Sequence, residues 1–233
     1  MKEFVGAGLA LPDFRRGKPR RYIKEDEMRA EKMDLDRVQV DALQELCNIG
    51  MGHATTALAQ IVGKTIYFDV PRVIKSNISR VPELIGKADE IVVGIYLRFQ
   101  GPITGNILFI FPRESVLLLR EIITGNKSRE LIFDEYQTSL LKELGNILAG
   151  SYLSVMEKLL GMNLIQSVPW FAFDLAGAII DPILIQLGKD TDQIVVIEAE
   201  FFIRESKDLR GKFYLLPDPN SVLLMLKALG LGA

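Results

Sequence analysis

The chain has 233 residues, of which 48% are hydrophobic and 25% are charged, and its formal net charge at pH 7 is −2. This length suits one large domain or two small fused ones, with ample apolar material for a core. The balanced charge argues against nucleic-acid binding, which needs an excess of positive charge on one face. A single cysteine excludes an intrachain disulfide, and one cysteine with one histidine cannot build a zinc site of thiolates and imidazoles.

Residues 1–33 are expected to form a basic N-terminal extension that lies outside the folded domain, 34–233. Six basic residues and no acidic ones fall between Phe14 and Lys24. We interpret this run as a solvated tail. The alternative is a docking arm for an acidic partner or nucleic acid, which the mixed charges of the following EDEMRAEK disfavour.

No segment of the sequence predicts export or membrane insertion. The short apolar stretch at the start is broken by Pro12 and is followed by basic residues, unlike a secretory signal. The longest apolar runs, such as IVVGIYL at 91–97, are far shorter than the ~20 residues of a membrane helix. We therefore expect a cytoplasmic protein without a membrane partner.

The first half, about 36–125, begins with a long helix that Gly63 should end. A strand at 66–74 follows, in which Pro71 indicates a bulge or a sheet edge. A short helical segment leads to strands at 90–99 and 103–111, and the Gly101-Pro102 pair between them predicts a hairpin. A closing helix should run from about Arg113 to Ile123.

The second half, about 134–230, repeats the first. At an offset of 98 residues, ELCNI at 45–49 aligns with ELGNI at 143–147, and the Val-Pro pairs that end at 71 and 169 coincide. IVV at 91–93 matches IVV at 194–196, and SVLL at 115–118 matches SVLL at 221–224. The duplication predicts an α+β domain: a six-stranded, largely antiparallel sheet with long helices packed on it and pseudo-twofold symmetry.

Each half carries a Glu-x-x-Asn pair on its long helix. Glu45 and Asn48 are neighbours at i and i+3 on one helix face, and Glu143 and Asn146 repeat them. The apolar stripe lies on the other side, so this face should point outward. A carboxamide both donates and accepts hydrogen bonds and can orient a water, and phosphoryl transfer depends mainly on such positioning. The pairs therefore fit a hydrolytic site whose phosphate lies on another protein.

Glycines accompany both pairs: Gly50 and Gly52 in the first helix, Gly145 and Gly150 in the second. Glycine is costly in a helix, by about 1 kcal/mol relative to alanine. One explanation is close packing of the helices. The other is that a bulky partner approaches bare backbone at Gly52 and Gly150, beside the Glu-Asn pairs.

Over residues 36–230 the sequence resembles the chemotaxis phosphatase family CheC, with its relatives CheX and the flagellar switch protein FliM. The residues that show this are ELCNIGMGHA at 45–54, ELGNILAG at 143–150 and VPWFAFDLAGAIID at 168–181. The resemblance implies a hydrolase that removes the aspartyl phosphate of a CheY-type response regulator. The basic extension departs from the family pattern.

The resemblance also implies a role for each residue. Asn48 and Asn146 would align water on the aspartyl phosphate, and Glu45 and Glu143 would contact a regulator lysine. The chain itself would hold no metal or cofactor, because the Mg²⁺ would belong to the regulator. A CheD deamidase partner would bind around 176–188, including Asp181.

Two other functions compete with catalysis. The main one is a non-catalytic, FliM-like flagellar switch or docking protein, against which the two intact Glu-Asn pairs argue. The second is nucleic-acid binding through the basic run, which the overall charge disfavours. His53 is interpreted as a surface or packing residue, Cys47 as a small core residue, and Trp170 and Phe171 as core or interface residues.

Overall fold

The computed structural model describes residues 35–85, 88–128, 130, 133–188, 191–203 and 209–232, so the N-terminal extension lies outside the described residues. The helices are α1 (Arg37–Val62), α2 (Val81–Ile85), α3 (Arg113–Thr124), α4 (Glu135–Leu160), α5 (Ala176–Leu187) and α6 (Pro219–Ala228). The strands are β1 (Tyr67–Phe68), β2 (Arg72–Asn77), β3 (Ile91–Gln100), β4 (Gly105–Pro112), β5 (Ile165–Gln166), β6 (Trp170–Leu175), β7 (Gln193–Phe202) and β8 (Arg210–Pro217). Of the helices described, none has the length and apolar character to cross a membrane.

The long helices α1 and α4 begin and end in the same way. Asp36 and Asp134 cap their N-termini by accepting hydrogen bonds from the backbone N–H groups of Gln39 and Gln137. Both helices stop at a left-handed glycine, Gly63 with φ 64° and Gly161 with φ 65°. These glycines end the helices as the sequence predicts, because a side chain is disfavoured at positive φ.

A single antiparallel sheet runs in the order β1-β7-β8-β4-β3-β5, with β2 also paired to β7 and β6 also paired to β3. The sheet is thus six positions wide, as predicted, but each edge position holds two short strands. The breaks fall at Asp69–Pro71 and Ser167–Pro169, since proline cannot donate a ladder hydrogen bond. The expectation of a bulge or edge at Pro71 is confirmed.

The edge strands are exchanged between the halves. The first-half hairpin β3-β4 is flanked by β5 and β6 of the second half, while the second-half hairpin β7-β8 is flanked by β1 and β2 of the first. The hairpins meet where β4 pairs with β8. Neither half therefore completes its sheet alone, which makes the duplication one cooperative unit.

The strands correct the offset between the two halves at β3 and β7. The IVV matches pair residues 91 and 194, but β3 and β7 begin at Ile91 and Gln193, 102 positions apart. Their buried positions agree along the whole strand at that spacing, apart from the two partly exposed ends. Because a one-residue slip would move every side chain to the opposite face, the spacing of 102 is the structural one.

Helices cover both faces of the sheet. On one face α1 and α4 pack against aromatic side chains, with the rings of Tyr152 and Phe213 4.7 Å apart. On the other, α2 and α5 pack with β3, β4, β7 and β8 in an apolar cluster that includes Ile180, Tyr214 and Leu216. The halves differ most here, because α5 has 12 residues and its counterpart α2 has five.

Candidate functional site

The two Glu-Asn pairs lie on the outward faces of α1 and α4. We call Glu45 and Asn48 the first site, and Glu143 and Asn146 the second. Both glutamates are exposed and both asparagines half-buried. Residues 41–52 match 139–150 in burial class at every position. The duplication has therefore kept the same surface, position by position, on both helices.

The two glutamates are available to a partner. Neither forms a hydrogen bond or an ion pair with any other residue in the described part of the chain. Each lies within about 5–6 Å of its asparagine, measured between Cβ atoms, because the two are three residues apart on a helix. Each site thus presents one unpaired carboxylate beside one carboxamide.

The asparagines differ in their surroundings. Asn146 Oδ1 accepts a hydrogen bond of 2.6 Å from Gln166 Nε2, and the same nitrogen lies 3.2 Å from the Asn146 backbone oxygen. Asn48 has no such partner among the described residues. The residue 98 positions before Gln166 is Phe68, which cannot donate a hydrogen bond from its side chain. Gln166 was not predicted as a site residue, although the difference between these aligned positions is visible in the sequence.

The four helix glycines fall into two classes. A Cβ on Gly50 would lie 2.5 Å from the Tyr152 ring, and one on Gly145 would lie 2.4 Å from Ile95, so both are needed for packing. A Cβ on Gly52 would meet nothing within 4 Å, and one on Gly150 would lie at ordinary contact distance from Gln166. Packing therefore explains Gly50 and Gly145 and leaves Gly52 and Gly150 to another cause.

A shallow groove runs between α1 and α4 beside the first site. Small and polar side chains line it: Gly52, His53, Thr56, Ala57, Gln60, Ser151 and Ser154. His53 is exposed there, in agreement with its interpretation as a surface residue. The groove is continuous with the bare backbone at Gly52.

Apolar side chains are exposed next to both asparagines. Ile49 is 36% exposed and Ile147 is 38% exposed, each one residue after its asparagine. Val70 and Val168 follow the first edge strand of each half and are 67% and 78% exposed. Val168 lies two residues beyond Gln166, which contacts Asn146, so this apolar surface adjoins the second site.

Cys47 belongs to the core beneath the first site. It is fully buried, and burial raises the pKa of its thiol to about 12. Burial likewise raises the pKa of the adjacent Tyr152 hydroxyl well above its usual value. A thiol that stays protonated is a poor nucleophile, so the interpretation of Cys47 as a core residue is confirmed. Trp170 and Phe171 are half-buried, and the ring of Phe171 packs on that of Phe133 with 4.9 Å between their centroids.

Asp181 lies apart from both sites, on α5. It is exposed together with Ala178 and Ile185, and this spacing places all three on one face of the helix. Ile185 is 68% exposed. Pro182 has no N–H, so the Ala178 carbonyl lacks the helix hydrogen bond that a residue at 182 would otherwise donate.

Comparisons with known proteins add to this geometry. The model of the CheC-like family matches residues 38–74 and 137–171, each of which contains one Glu-Asn pair and the first edge strand after it. The CheY-P phosphatase CheC of Bacillus subtilis is 35% identical over 197 residues, covering 82% of this chain and 94% of that protein.

Two solved structures share the fold. FliY of Thermotoga maritima superposes with a TM-score of 0.67 at 24% identity, covering 85% of this chain and 98% of its own. The FliM middle domain of H. pylori superposes with a TM-score of 0.60 at 10% identity, covering 83% of this chain and 99% of its own. At these identities the likeness describes the architecture alone.

Proposed function

The chain belongs to the CheC-like family, and from that premise we propose that it hydrolyses the aspartyl phosphate of a CheY-type response regulator in chemotaxis signalling. The observation that carries the proposal is the relative named a CheY-P phosphatase, which is 35% identical over most of both chains. The repeated, outward Glu-Asn pair supplies the groups through which this chain would act.

Each asparagine is proposed to align the attacking water. Its amide oxygen accepts hydrogen bonds and its amide nitrogen donates them, so one side chain fixes both the position and the orientation of a water. The loss of an aspartyl phosphate requires little else from a second protein, since phosphoryl transfer proceeds mainly through positioning and charge stabilisation. Asn48 and Asn146 are half-buried, which restricts their motion while leaving them accessible.

Each glutamate is proposed to hold the regulator in place. Glu45 and Glu143 have no ion pair within the described part of the chain, so a lysine of the regulator gains a charge-assisted contact without displacing an existing one. Mg²⁺ is usually held by substrate phosphate, water and one or two carboxylates, and in this proposal the phosphate lies on the regulator. We therefore assign the Mg²⁺ to the regulator. We propose that the chain meets this regulator in the cytoplasm.

The surface around each asparagine suits a docked protein. Ile49 and Ile147 provide an apolar contact beside the asparagine, and Gly52 and Gly150 keep the next turn of the helix bare. A side chain at either glycine would project into the space that the regulator occupies. This approach explains two glycines that internal packing does not.

The test is the rate of phosphate loss from a phosphorylated CheY-type regulator, measured with and without the full chain. We expect a catalytic acceleration that saturates with regulator concentration. A chain that binds the phosphorylated regulator without accelerating phosphate loss would contradict the proposal and favour the docking function.

We also propose that the exposed face of α5 binds a CheD-type deamidase. Ala178, Asp181 and Ile185 give it one charge within an apolar strip. Asp181→Lys should weaken binding of the deamidase at least tenfold without changing regulator dephosphorylation, whereas Glu114→Lys, an exposed reversal on α3, should change neither. Equal affinity for Asp181→Lys and the unmutated chain would place the interface elsewhere.

A further inference from the structure

We infer that Gln166 is a positioning residue for Asn146, holding its amide in one orientation so that the second site is preorganised and the first is not. The inference rests on the proposed function. Gln166 lies on β5 and reaches across to α4, where its Nε2 donates to Asn146 Oδ1 at 2.6 Å.

The backbone fixes which way the two amides face. Gln166 Nε2 also lies 3.2 Å from the Asn146 carbonyl oxygen, which can only accept a hydrogen bond. The nitrogen of Gln166 must therefore face α4, and Asn146 must turn its oxygen toward that nitrogen. Asn146 then keeps both N–H groups of Nδ2 and the second lone pair of Oδ1 for a water.

A purely structural role does not account for Gln166. Its Oε1 is buried and has no hydrogen-bond partner among the described residues, an arrangement that costs stability. An apolar side chain avoids that cost, and the first half has Phe68 at the aligned position. Phe68 pairs with Phe201 on β7, and Gln166 pairs with Phe99 on β3. At the spacing of 102, Phe99 is the counterpart of Phe201. The contact with Asn146 is what the glutamine adds.

The experiment isolates the second site in the Asn48→Ala background and compares Gln166 with Gln166→Met. Methionine has a similar length and volume but cannot donate a hydrogen bond. We expect kcat for regulator dephosphorylation to fall about fivefold, the cost of leaving one side chain free to rotate, with KM within about twofold. Relaxation of the Asn146 side-chain amide, measured by NMR, should change from restricted to mobile.

The matched control places Gln166→Met in the Asn146→Ala background, where only the first site works. The rate there should not change. An equal fall in both backgrounds would assign Gln166 a structural role and overturn the inference, as would an unchanged kcat in the Asn48→Ala background. Absence of phosphatase activity in the unmutated chain would instead contradict the proposed function.

Discussion

The two sites share a backbone and differ in one neighbour. The helices that hold them start at equivalent aspartates, end at equivalent glycines and bury equivalent positions around each Glu-Asn pair. Asn146 is nevertheless tied to Gln166, while Asn48 has Phe68 at the corresponding place. A duplicated scaffold thus preserves the location of a functional group, whereas its freedom to rotate depends on residues that diverge independently.

Among the single substitutions, those of the two asparagines are expected to change the rate of phosphate loss most. If each orients a water worth about 2.7 kcal/mol in the transition state, Asn→Ala slows its own site about a hundredfold. With the second site about fivefold faster, Asn146→Ala should leave about one sixth of the total rate and Asn48→Ala about five sixths. Single-turnover phosphate loss from the phosphorylated regulator measures both.

Glu135→Gln is the control for these rates, because it changes an exposed residue of α4 away from the second site. Its rate should equal that of the unmutated chain. A larger loss for Asn48→Ala than for Asn146→Ala would reverse the order that the Gln166 contact predicts.

A second comparison concerns Gly50 and Gly52, two residues apart on α1. A Cβ at Gly50 would lie 2.5 Å from the buried Tyr152 ring, so Gly50→Ala should destabilise the fold by about 1–3 kcal/mol. Gly52→Ala has open space and gains helix propensity, so it should stabilise by up to about 1 kcal/mol. Thermal unfolding measures the difference in stability between the two variants. For a chain of this size, each kcal/mol shifts the unfolding temperature by about 2–4 °C.

Gly52 also provides a test of whether the regulator approaches this turn of α1. Gly52→Leu should not lower the unfolding temperature but should raise KM at the first site, since the larger side chain projects into the docking surface. If Gly52→Leu left KM in the Asn146→Ala background unchanged, the regulator would not approach this turn of α1.

The smallest expected effect is an increase in kcat at the first site. Phe68→Gln installs in the first half the amide that the second half has, and should raise first-site kcat about threefold in the Asn146→Ala background. Phe68→Met removes the ring without adding a donor and should give no gain. Equal rates for the two variants would show that the hydrogen bond at this position does not affect catalysis.

Local chemistry predicted much of the fold. Left-handed glycines end both long helices, and the prolines at 71 and 169 break the edge strands, because each acts through its own backbone preferences. The three-residue spacing predicted that each Glu-Asn pair shares one helix face. The apolar stripe on the opposite side of the helix predicted that this face points outward.

Long-range contacts could not be predicted in this way. The exchange of edge strands between halves depends on pairings between residues far apart in the chain, such as Gln100 with Ile165 and Tyr67 with Phe202. Identical IVV tripeptides misplaced the repeat of β3 and β7 by one residue. Gln166 lies 20 residues from Asn146, on a different element. The sequence shows that Gln166 replaces Phe68 at the aligned position, but the contact with Asn146 depends on how β5 lies beside α4.

The central claim is that both asparagines perform the hydrolysis, and the Asn48→Ala/Asn146→Ala double variant tests it most directly. The variant should fold, because both asparagines are only half-buried and alanine is the better helix former. We predict that it binds the phosphorylated regulator but accelerates phosphate loss at least a hundredfold less than the unmutated chain. A folded double variant that dephosphorylates the regulator at the unmutated rate would contradict the account.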